Sequence, residues 1–187
     1  MQDFIQAIAD EHVYLFDGAM GTMLYSKGVF INKCYDELNL RNPEIVLEVH
    51  KEYVRAGAEI LETNTYGGNR IKLRGFGIED ELRDINERAA ELARRAAGDS
   101  VYVAGAIGPL GIRIEPYGPT GLEEARQYFR EQAEALRDGG VDLLLPLDAH
   151  GGEDPAHYFD GWCSLHACRV WTLVSTSTWS QRHDGAT

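Results

Sequence analysis

The stretch Val13-Tyr14-Leu15-Phe16-Asp17-Gly18-Ala19-Met20-Gly21-Thr22 decides the fold class. Its apolar and aromatic start predicts a β-strand from Val13 to Phe16, which stops at Asp-Gly and leads through small residues into a helical turn. A strand end presents a carboxylate in this arrangement, and glycine lets backbone N–H groups come close to a ligand. Asp and Gly are also favoured in an ordinary strand-to-helix loop. The stretch alone therefore leaves both a ligand loop and a plain turn open.

The same order of strand, Gly-rich turn and helix recurs along the chain. Short apolar runs predict further strands at 59–63, 101–106 and 141–145, and helical periodicity predicts helices starting at Asn42-Pro43-Glu44 and spanning 79–97 and 122–138. The connections that follow strands are long, and those that follow helices are short. This asymmetry favours a parallel α/β sheet with its site at the carboxyl ends of the strands, in a doubly wound sheet or a (β/α)8 barrel.

Composition excludes several function classes. The 187 residues suffice for one domain with a real core, and the net charge of -12 argues against nucleic-acid binding. The chain has no apolar run near the roughly 20 residues that span a bilayer, and its start lacks the basic segment of a signal peptide. Three cysteines form no disulfide framework. We therefore expect a cytoplasmic protein that binds neither membranes nor nucleic acid.

Three strand-end motifs together resemble those of the homocysteine S-methyltransferase family, which includes the homocysteine domain of cobalamin-dependent methionine synthase and the betaine–homocysteine methyltransferases. They are Asp17-Gly18-Ala19-Met20-Gly21-Thr22, Glu62-Thr63-Asn64-Thr65-Tyr66 and Gly105-Ala106-Ile107-Gly108-Pro109. Three further stretches are most similar to the bacterial branch, which is often fused to a methylenetetrahydrofolate reductase: Cys34-Tyr35-Asp36-Glu37-Leu38-Asn39-Leu40, Asn69-Arg70-Ile71-Lys72-Leu73 and Glu115-Pro116-Tyr117-Gly118. The resemblance runs from about residue 4 to residue 145.

This resemblance implies a (β/α)8 barrel and a zinc-dependent methyl transfer that converts homocysteine to methionine, with methyltetrahydrofolate among the donors. Zinc binds the substrate sulfur as a thiolate, because a free thiol with a pKa near 8.5 is mostly protonated at neutral pH. The resemblance also implies seven substrate-binding residues, with the last two shaping the pocket floor: Asp17, Gly18, Glu62, Asn64, Thr65, Gly108 and Pro109. Each has a structural alternative, such as a helix cap, an ion pair or a simple turn.

The sequence departs from the family pattern after the fourth strand. The family has Glu-Thr or Glu-Tyr there, whereas this chain has Pro146-Leu147-Asp148, and the Asn-Cys and Gly-Gly-Cys-Cys turns that carry the family's zinc ligands do not occur. Composition changes at the same point, since all tryptophans follow residue 160 and no lysine follows Lys72. We therefore expect residues 1–147 to form the first half of the barrel, about four βα units. We expect 148–187 to be an atypical tail, frameshifted or disordered, with a native but divergent tail as the alternative.

Three functional hypotheses follow. The first is a homocysteine S-methyltransferase by family, here truncated, without the zinc ligands and able to self-associate through open barrel edges. The second is a non-catalytic module that binds an amino acid or thiol, or an inactive fragment. The third, ranked last, is a small doubly wound domain for a phosphate ligand, since no phosphate-loop motif occurs and Asp17 and Glu62 would repel phosphate. A zinc site within the tail, at Cys163, His166 and Cys168, is a further alternative that a single ligand cluster does not favour.

Overall fold

A computed structural model describes Phe4, Ala7, residues 12–147, and two short strands at 171–174 and 178–181. The helices in these residues are α1 Met20–Ser26, α2 Leu38–Arg41, α3 Pro43–Ala56, α4 Arg70–Arg74, α5 Leu82–Ala97 and α6 Leu122–Asp138, with a 3-10 turn at Glu79–Glu81. The strands are β1 Ile60–Glu62, β2 Tyr102–Ile107, β3 Leu143–Pro146, β4 Trp171–Val174 and β5 Thr178–Gln181. The expected tail site at Cys163, His166 and Cys168 lies outside the described residues.

Strands β1, β2 and β3 form a parallel sheet in that order, as the repeated strand–turn–helix pattern predicts. Strands β4 and β5 pair with each other in an antiparallel hairpin. The three parallel strands all end at one edge of their sheet, where long turns follow β1 and β2. This edge is where the sequence places the ligand site.

The segment before α1 is an extended chain beside β1 and not the full strand that the sequence predicts. Its backbone forms a single parallel bridge, between Phe16 and Ile60, and the N–H of Asp17 donates to the carbonyl of Ile60 at 3.0 Å. At the start of this segment, the backbone N–H of Leu15 donates to the side-chain Oε2 of Glu59 at 3.0 Å and not to a backbone carbonyl of β1. The segment nevertheless delivers Asp17 to the end of β1.

The predicted helices are confirmed, with small differences at their ends. Pro43 occupies the first turn of α3, and Gly57 ends that helix in the left-handed region with φ 101°. The side chain of Asn42, the residue before α3, makes no capping hydrogen bond. Helix α4 is an addition that the sequence did not predict, and Asn69 caps it by accepting from the N–H of Lys72 at 3.0 Å.

Both faces of the sheet are apolar, and each face packs against a different part of the chain. On one face Leu61 and Val103 pack against α3 and α5. The other face is covered near the start of the strands by Phe4 and Ala7, in a cluster with Ile60, Tyr102, Ala104, Leu143 and Leu145. No helix in the described residues is both long and apolar enough to cross a bilayer.

A buried set of amide side chains holds the turn at residues 63–68, which we call the 63–68 turn. From one side, Nδ2 of Asn39 donates to the carbonyl of Asn64 at 2.8 Å, and Nδ2 of Asn64 donates to the carbonyl of Tyr35 at 2.7 Å. These two amides join α2 and the loop before it to the end of β1. Both are buried, so each bond replaces one that water would otherwise supply.

Two further buried amides reach the 63–68 turn from α5 and α6. Nδ2 of Asn86 donates to the carbonyl of Gly68 at 2.8 Å. Nε2 of Gln132 donates to the carbonyl of Thr65 at 2.7 Å and contacts Oδ1 of Asn86 at 3.3 Å. The turn is therefore fixed by side chains from separate helices and is organised before any ligand arrives.

Replacing Gln132 by Leu tests this support. We expect the free energy of unfolding to fall by about 1 kcal/mol, because the buried carbonyl of Thr65 loses one of its two donors and keeps only the N–H of Gly68. Urea unfolding measures the loss, and hydrogen exchange should show faster exchange across 63–68. The matched control is Gln127→Leu, at an exposed position of the same helix, which should change neither quantity. Equal effects of the two variants would contradict the proposed support.

A buried histidine makes the stability of the fold depend on pH. His50 in α3 is fully buried, and in the described part of the chain neither ring nitrogen has a hydrogen-bond partner. Burial lowers the pKa of His50 from 6.5 to about 4. Below pH 6.5 the unfolded chain therefore binds a proton that the folded chain does not take up, so this group destabilises the fold as pH falls.

We expect His50→Leu to remove that destabilisation. The difference in unfolding free energy between the variant and wild type should shift by about 2 kcal/mol in favour of the variant when the pH falls from 7.5 to 5. Urea unfolding of both proteins at both pH values gives this difference and cancels the contribution of the buried carboxyls, which titrate in both. A difference that stays constant with pH would show that His50 takes up its proton in the folded state.

Candidate functional site

A cavity of about 620 Å³ lies at the carboxyl ends of the first strands. Its wall is formed by the loop that leads into α1, the loop before α2, the 63–68 turn and the end of α4, together with one residue each from β2 and the segment after β3. The lining residues are Asp17, Gly18, Ala19, Met20, Gly21, Ile31, Lys33, Cys34, Tyr35, Asp36, Glu62, Thr63, Asn64, Thr65, Tyr66, Gly67, Lys72, Phe76, Ala106 and Leu147.

Two carboxyl groups meet in this cavity, as the strand-end motifs predict. Oδ1 of Asp17 accepts from the backbone N–H of Glu62 at 3.0 Å, which fixes the first loop on the end of β1. Burial raises the pKa of Asp17 to about 8, with a smaller contribution from the charge of Glu62, against the opposing hydrogen bond from the Glu62 N–H. Burial also raises the pKa of Glu62 to about 6. Asp17 thus retains a proton that an isolated carboxyl would lose at neutral pH, whereas Glu62 is mostly ionised there.

Gly18 is required by close packing against Tyr53. A Cβ atom at position 18 would lie 3.0 Å from Oη of Tyr53 and 3.1 Å from its ring. The same hydroxyl donates to the carbonyl of Ala19 at 3.3 Å. Helix α3 therefore supports the Asp17 loop from behind, and a larger residue at position 18 would push the loop away from it.

Asn64 and Thr65 belong to the cavity wall, but their polar groups bond to the protein itself. Nδ2 of Asn64 donates to the carbonyl of Tyr35 at 2.7 Å, and Oγ1 of Thr65 donates to the carbonyl of Ala106 at 2.7 Å. Both side chains are buried. Their geometry supports a role in shaping the wall, and direct contact with a substrate stays a prediction.

Gly108 and Pro109 are not among the residues that line this cavity, and their expected role in shaping its floor stays a prediction. A Cβ atom at Gly108 would overlap the backbone carbonyl of Tyr66 and approach its ring at 2.8 Å. The carbonyl of Pro109 accepts from Nδ2 of Asn69 at 3.4 Å. The turn after β2 therefore packs closely against Tyr66, and this packing leaves no room for a side chain at position 108.

Cys34 and Asp36 also line the cavity, although neither was among the expected site residues. Oδ1 of Asp36 accepts from the N–H of Gly67 at 2.8 Å, and Oδ2 accepts from Sγ of Cys34 at 3.8 Å. Burial raises the pKa of Asp36 to about 6, and burial with the Asp36 charge raises the pKa of Cys34 to about 11. The motif that contains these two residues indicated only the resemblance to the family. The loop has no periodicity from which the contacts of its side chains could be predicted.

The described residues do not fit a zinc site. They contain no group of three His, Cys, Asp or Glu side chains arranged to hold a metal ion. Cys34 is the one cysteine of residues 12–147, and its Sγ donates to Oδ2 of Asp36 at 3.8 Å. No chemical step is therefore assigned to a metal held by these residues.

The titration of the two carboxyls is directly measurable. Carboxyl carbon NMR should show Asp17 titrating near 8 and Glu62 near 6. In Glu62→Gln the pKa of Asp17 should fall, because the neighbouring charge is gone, but it should stay above 3.8 because burial is the largest cause. The matched control Glu44→Gln, at an exposed position of α3, should leave the pKa of Asp17 unchanged. A pKa for Asp17 near 4 in the wild type would contradict this description of the site.

Comparison with known proteins agrees with this architecture. The profile of the homocysteine S-methyltransferase family matches residues 14–146. Methionine synthase of Mycobacterium leprae (strain TN) is 33% identical over 155 residues, which cover 76% of this chain, and that of Mycobacterium tuberculosis (strain ATCC 25618 / H37Rv) is 32% identical over 150 residues, covering 74%. The crystal structure of the homocysteine methyltransferase MmuM from Escherichia coli, metallated form, matches with a TM-score of 0.77 at 27% identity, covering 92% of this chain.

The matched region is a small part of the longer relatives. It spans 13% and 12% of the two methionine synthases and 67% of the MmuM chain. The family profile nevertheless extends from the segment beside β1 to the end of β3, so it includes every parallel strand and most of the cavity wall. The chain belongs to the homocysteine S-methyltransferase family.

Proposed function

We propose that the cavity binds homocysteine by its amino-acid end and that the chain serves the transfer of a methyl group to the homocysteine sulfur, which gives methionine. The observation that carries the proposal is the meeting of Asp17 and Glu62 in one cavity, at the ends of neighbouring extended segments. Membership of the family supports it, as does the likeness to a homocysteine methyltransferase of known structure.

In this proposal the two carboxyl groups bind the substrate ammonium. Burial raises the pKa of both, and in the empty cavity Asp17 retains its proton at neutral pH. An ammonium group placed between them favours their ionised forms, because an opposite charge lowers a carboxyl pKa. Binding therefore releases protons from the pair, and affinity should rise as the pH increases from 6 to 8. The resulting charge-assisted hydrogen bonds fix the orientation of the amino-acid end.

The chemistry at the sulfur requires a thiolate, which forms the new bond to the methyl carbon as the bond between methyl and donor breaks. A free thiol has a pKa near 8.5, and the family relies on zinc to remove its proton. We assign the binding and orientation of the substrate to the described residues. We assign the deprotonation of the homocysteine thiol to none of them. Methyltetrahydrofolate is the proposed donor, on the basis of the similarity to methionine synthases.

We infer that residues 1–147 form one unit with the architecture of the first four βα units of a (β/α)8 barrel. The parallel order of β1, β2 and β3, with the extended segment next to β1, supports this inference. Val13 and Leu15 are 87% and 57% exposed on that segment, where a complete barrel would cover them. Self-association through this edge is part of the same proposal, since exposed apolar side chains on an extended edge favour pairing.

Calorimetry tests the binding proposal. L-Methionine and L-homocysteine should bind the chain, and Asp17→Asn should lower their affinity about tenfold or more, because it removes a charged partner of the ammonium. The matched control Asp99→Asn changes an exposed aspartate after α5 and should leave the affinity as in wild type. A homocysteine analogue without the amino group should not bind. Absence of heat with both amino acids at millimolar concentration would refute the proposal.

Methionine formation separates an enzyme from a binding module. The purified chain is incubated with homocysteine, zinc and methyltetrahydrofolate. Binding without methionine formation supports the non-catalytic module that the sequence left open. Sustained turnover without any added polypeptide would overturn the idea that the chain lacks part of the catalytic apparatus.

A further inference from the structure

Asp36 joins two parts of the cavity wall that lie far apart in the chain. It belongs to the loop before α2, which we call the 28–37 loop, and its Oδ1 accepts from the backbone N–H of Gly67 in the 63–68 turn at 2.8 Å. Its other oxygen, Oδ2, accepts from Sγ of Cys34 in the same loop at 3.8 Å. One carboxyl group therefore binds a donor on the turn and a donor on its own loop.

The 63–68 turn leaves space for this carboxyl group because it has no side chain at position 67. A Cβ atom at Gly67 would lie 2.6 Å from Oδ2 of Asp36, so any larger residue would displace the carboxyl group. The residue before Asp36 strengthens the same junction, since the backbone carbonyl of Tyr35 accepts from Nδ2 of Asn64 at 2.7 Å. Two successive residues of the loop are thus attached to the turn that directly follows Glu62.

The outer part of the 28–37 loop gains little stability from burial. Phe30 is 70% exposed and Ile31 is 81% exposed, whereas Cys34 and Asp36 are buried. Side chains that stay in water contribute little hydrophobic free energy. The position of this loop against the rest of the cavity wall therefore depends on the contacts at its inner end, where Asp36 lies.

Fold stability alone does not favour a carboxyl group at position 36. Burial raises the pKa of Asp36 to about 6, against the lowering effects of the Gly67 N–H, the charge of Lys72 in α4 and the thiol of Cys34. At neutral pH the folded chain therefore carries a mostly ionised group with little hydration, which is unfavourable. An asparagine would accept from Gly67 without a buried charge. Residues that reduce stability in this way are typical of functional sites.

The ionised carboxyl group differs from an amide in what it can accept. Its two oxygens accept from Gly67 and from Cys34 at the same time. An asparagine, or a protonated Asp36, places hydrogen at one of these two positions. Hydrogen bonds to an ionised acceptor are also about twice as strong as those between neutral groups. The charge on Asp36 thus strengthens the junction between the loop and the turn.

We propose that Asp36 is a positioning residue for the amino-acid site, whose ionised carboxyl group clamps the 28–37 loop onto the 63–68 turn beside Glu62. The proposal rests on the proposed function, because it assigns how the wall of that same cavity is held. The clamp holds while Asp36 is ionised and weakens when Asp36 takes up a proton. The wall of the amino-acid site is therefore firm at neutral pH and loosens in acid.

The first measurement follows the amide of Gly67 by NMR in the full chain without ligand. Its chemical shift should titrate with a midpoint near pH 6, because it donates to the carboxyl group of Asp36. This titration should vanish in Asp36→Asn. It should remain in Glu62→Gln, which removes the other carboxyl group with a pKa of about 6. A Gly67 amide that does not titrate in wild type would overturn the proposal.

The second measurement is calorimetry with L-methionine at pH 7.5. Asp36→Asn and Gly67→Ala should each lower the affinity about three- to tenfold, because each opens the clamp from one side. The double variant should lose little more than either single variant, since both act on one contact. The matched control is Asp84→Asn, at an exposed position of α5, which should bind like wild type.

Stability and hydrogen exchange separate positioning from a role in folding. Asp36→Asn should unfold at no lower urea concentration than wild type, because it removes a buried charge and keeps an acceptor for Gly67. Wild-type affinity in folded Asp36→Asn and Gly67→Ala would overturn the proposal. If wild type binds no methionine, the proposed function fails, and the clamp is still tested by exchange of the loop amides. Asp36→Asn should accelerate that exchange and leave α5 unchanged, and wild-type rates in the loop would overturn the clamp.

Discussion

The structure depends on the buried amides that hold the 63–68 turn. Asn39, Asn86 and Gln132 come from three helices and bond to backbone carbonyls of this one turn. A buried carbonyl left without a donor costs about 1–3 kcal/mol, so each bond opposes any movement of the turn away from its helix. The turn carries part of the cavity wall and connects β1 to α4. The amides therefore hold this part of the cavity wall in place.

The docking of Asp17 on the N–H of Glu62 has an electrostatic consequence. It brings two carboxyl groups together in a place that solvent reaches poorly, and burial raises the pKa of both. A single backbone hydrogen bond does not compensate for the lost hydration of Asp17, as its pKa near 8 indicates. The folded chain thus keeps a site whose carboxyls are most stable when a cation is present. A bound ammonium supplies that cation without any change in the backbone.

Periodicity and strand order were enough to predict the helices α3, α5 and α6 and the meeting of Asp17 with Glu62. The helices follow from amphipathic stripes, and the meeting follows because parallel strands end at the same edge. The orientation of Asn64 and Thr65 was beyond prediction, since it depends on partners far away in the chain, such as Tyr35 and Ala106. The shortened first strand likewise depends on Glu59, whose side chain accepts the hydrogen bond from the N–H of Leu15. The alternation of apolar residues in a strand does not predict such a side-chain contact.

Motif residues that look like ligand contacts can instead set the shape of a cavity. Gly18 admits Tyr53 behind the first loop, and Gly108 admits Tyr66 behind the second, so both glycines act through an aromatic neighbour. The titratable side chains that line the cavity include Asp17 and Glu62. Changes at the glycines would move whole loops and affect every ligand together. Changes at Asp17 and Glu62 would instead act on the proposed substrate ammonium alone, so these two positions are the more informative ones for assigning the ligand of this cavity.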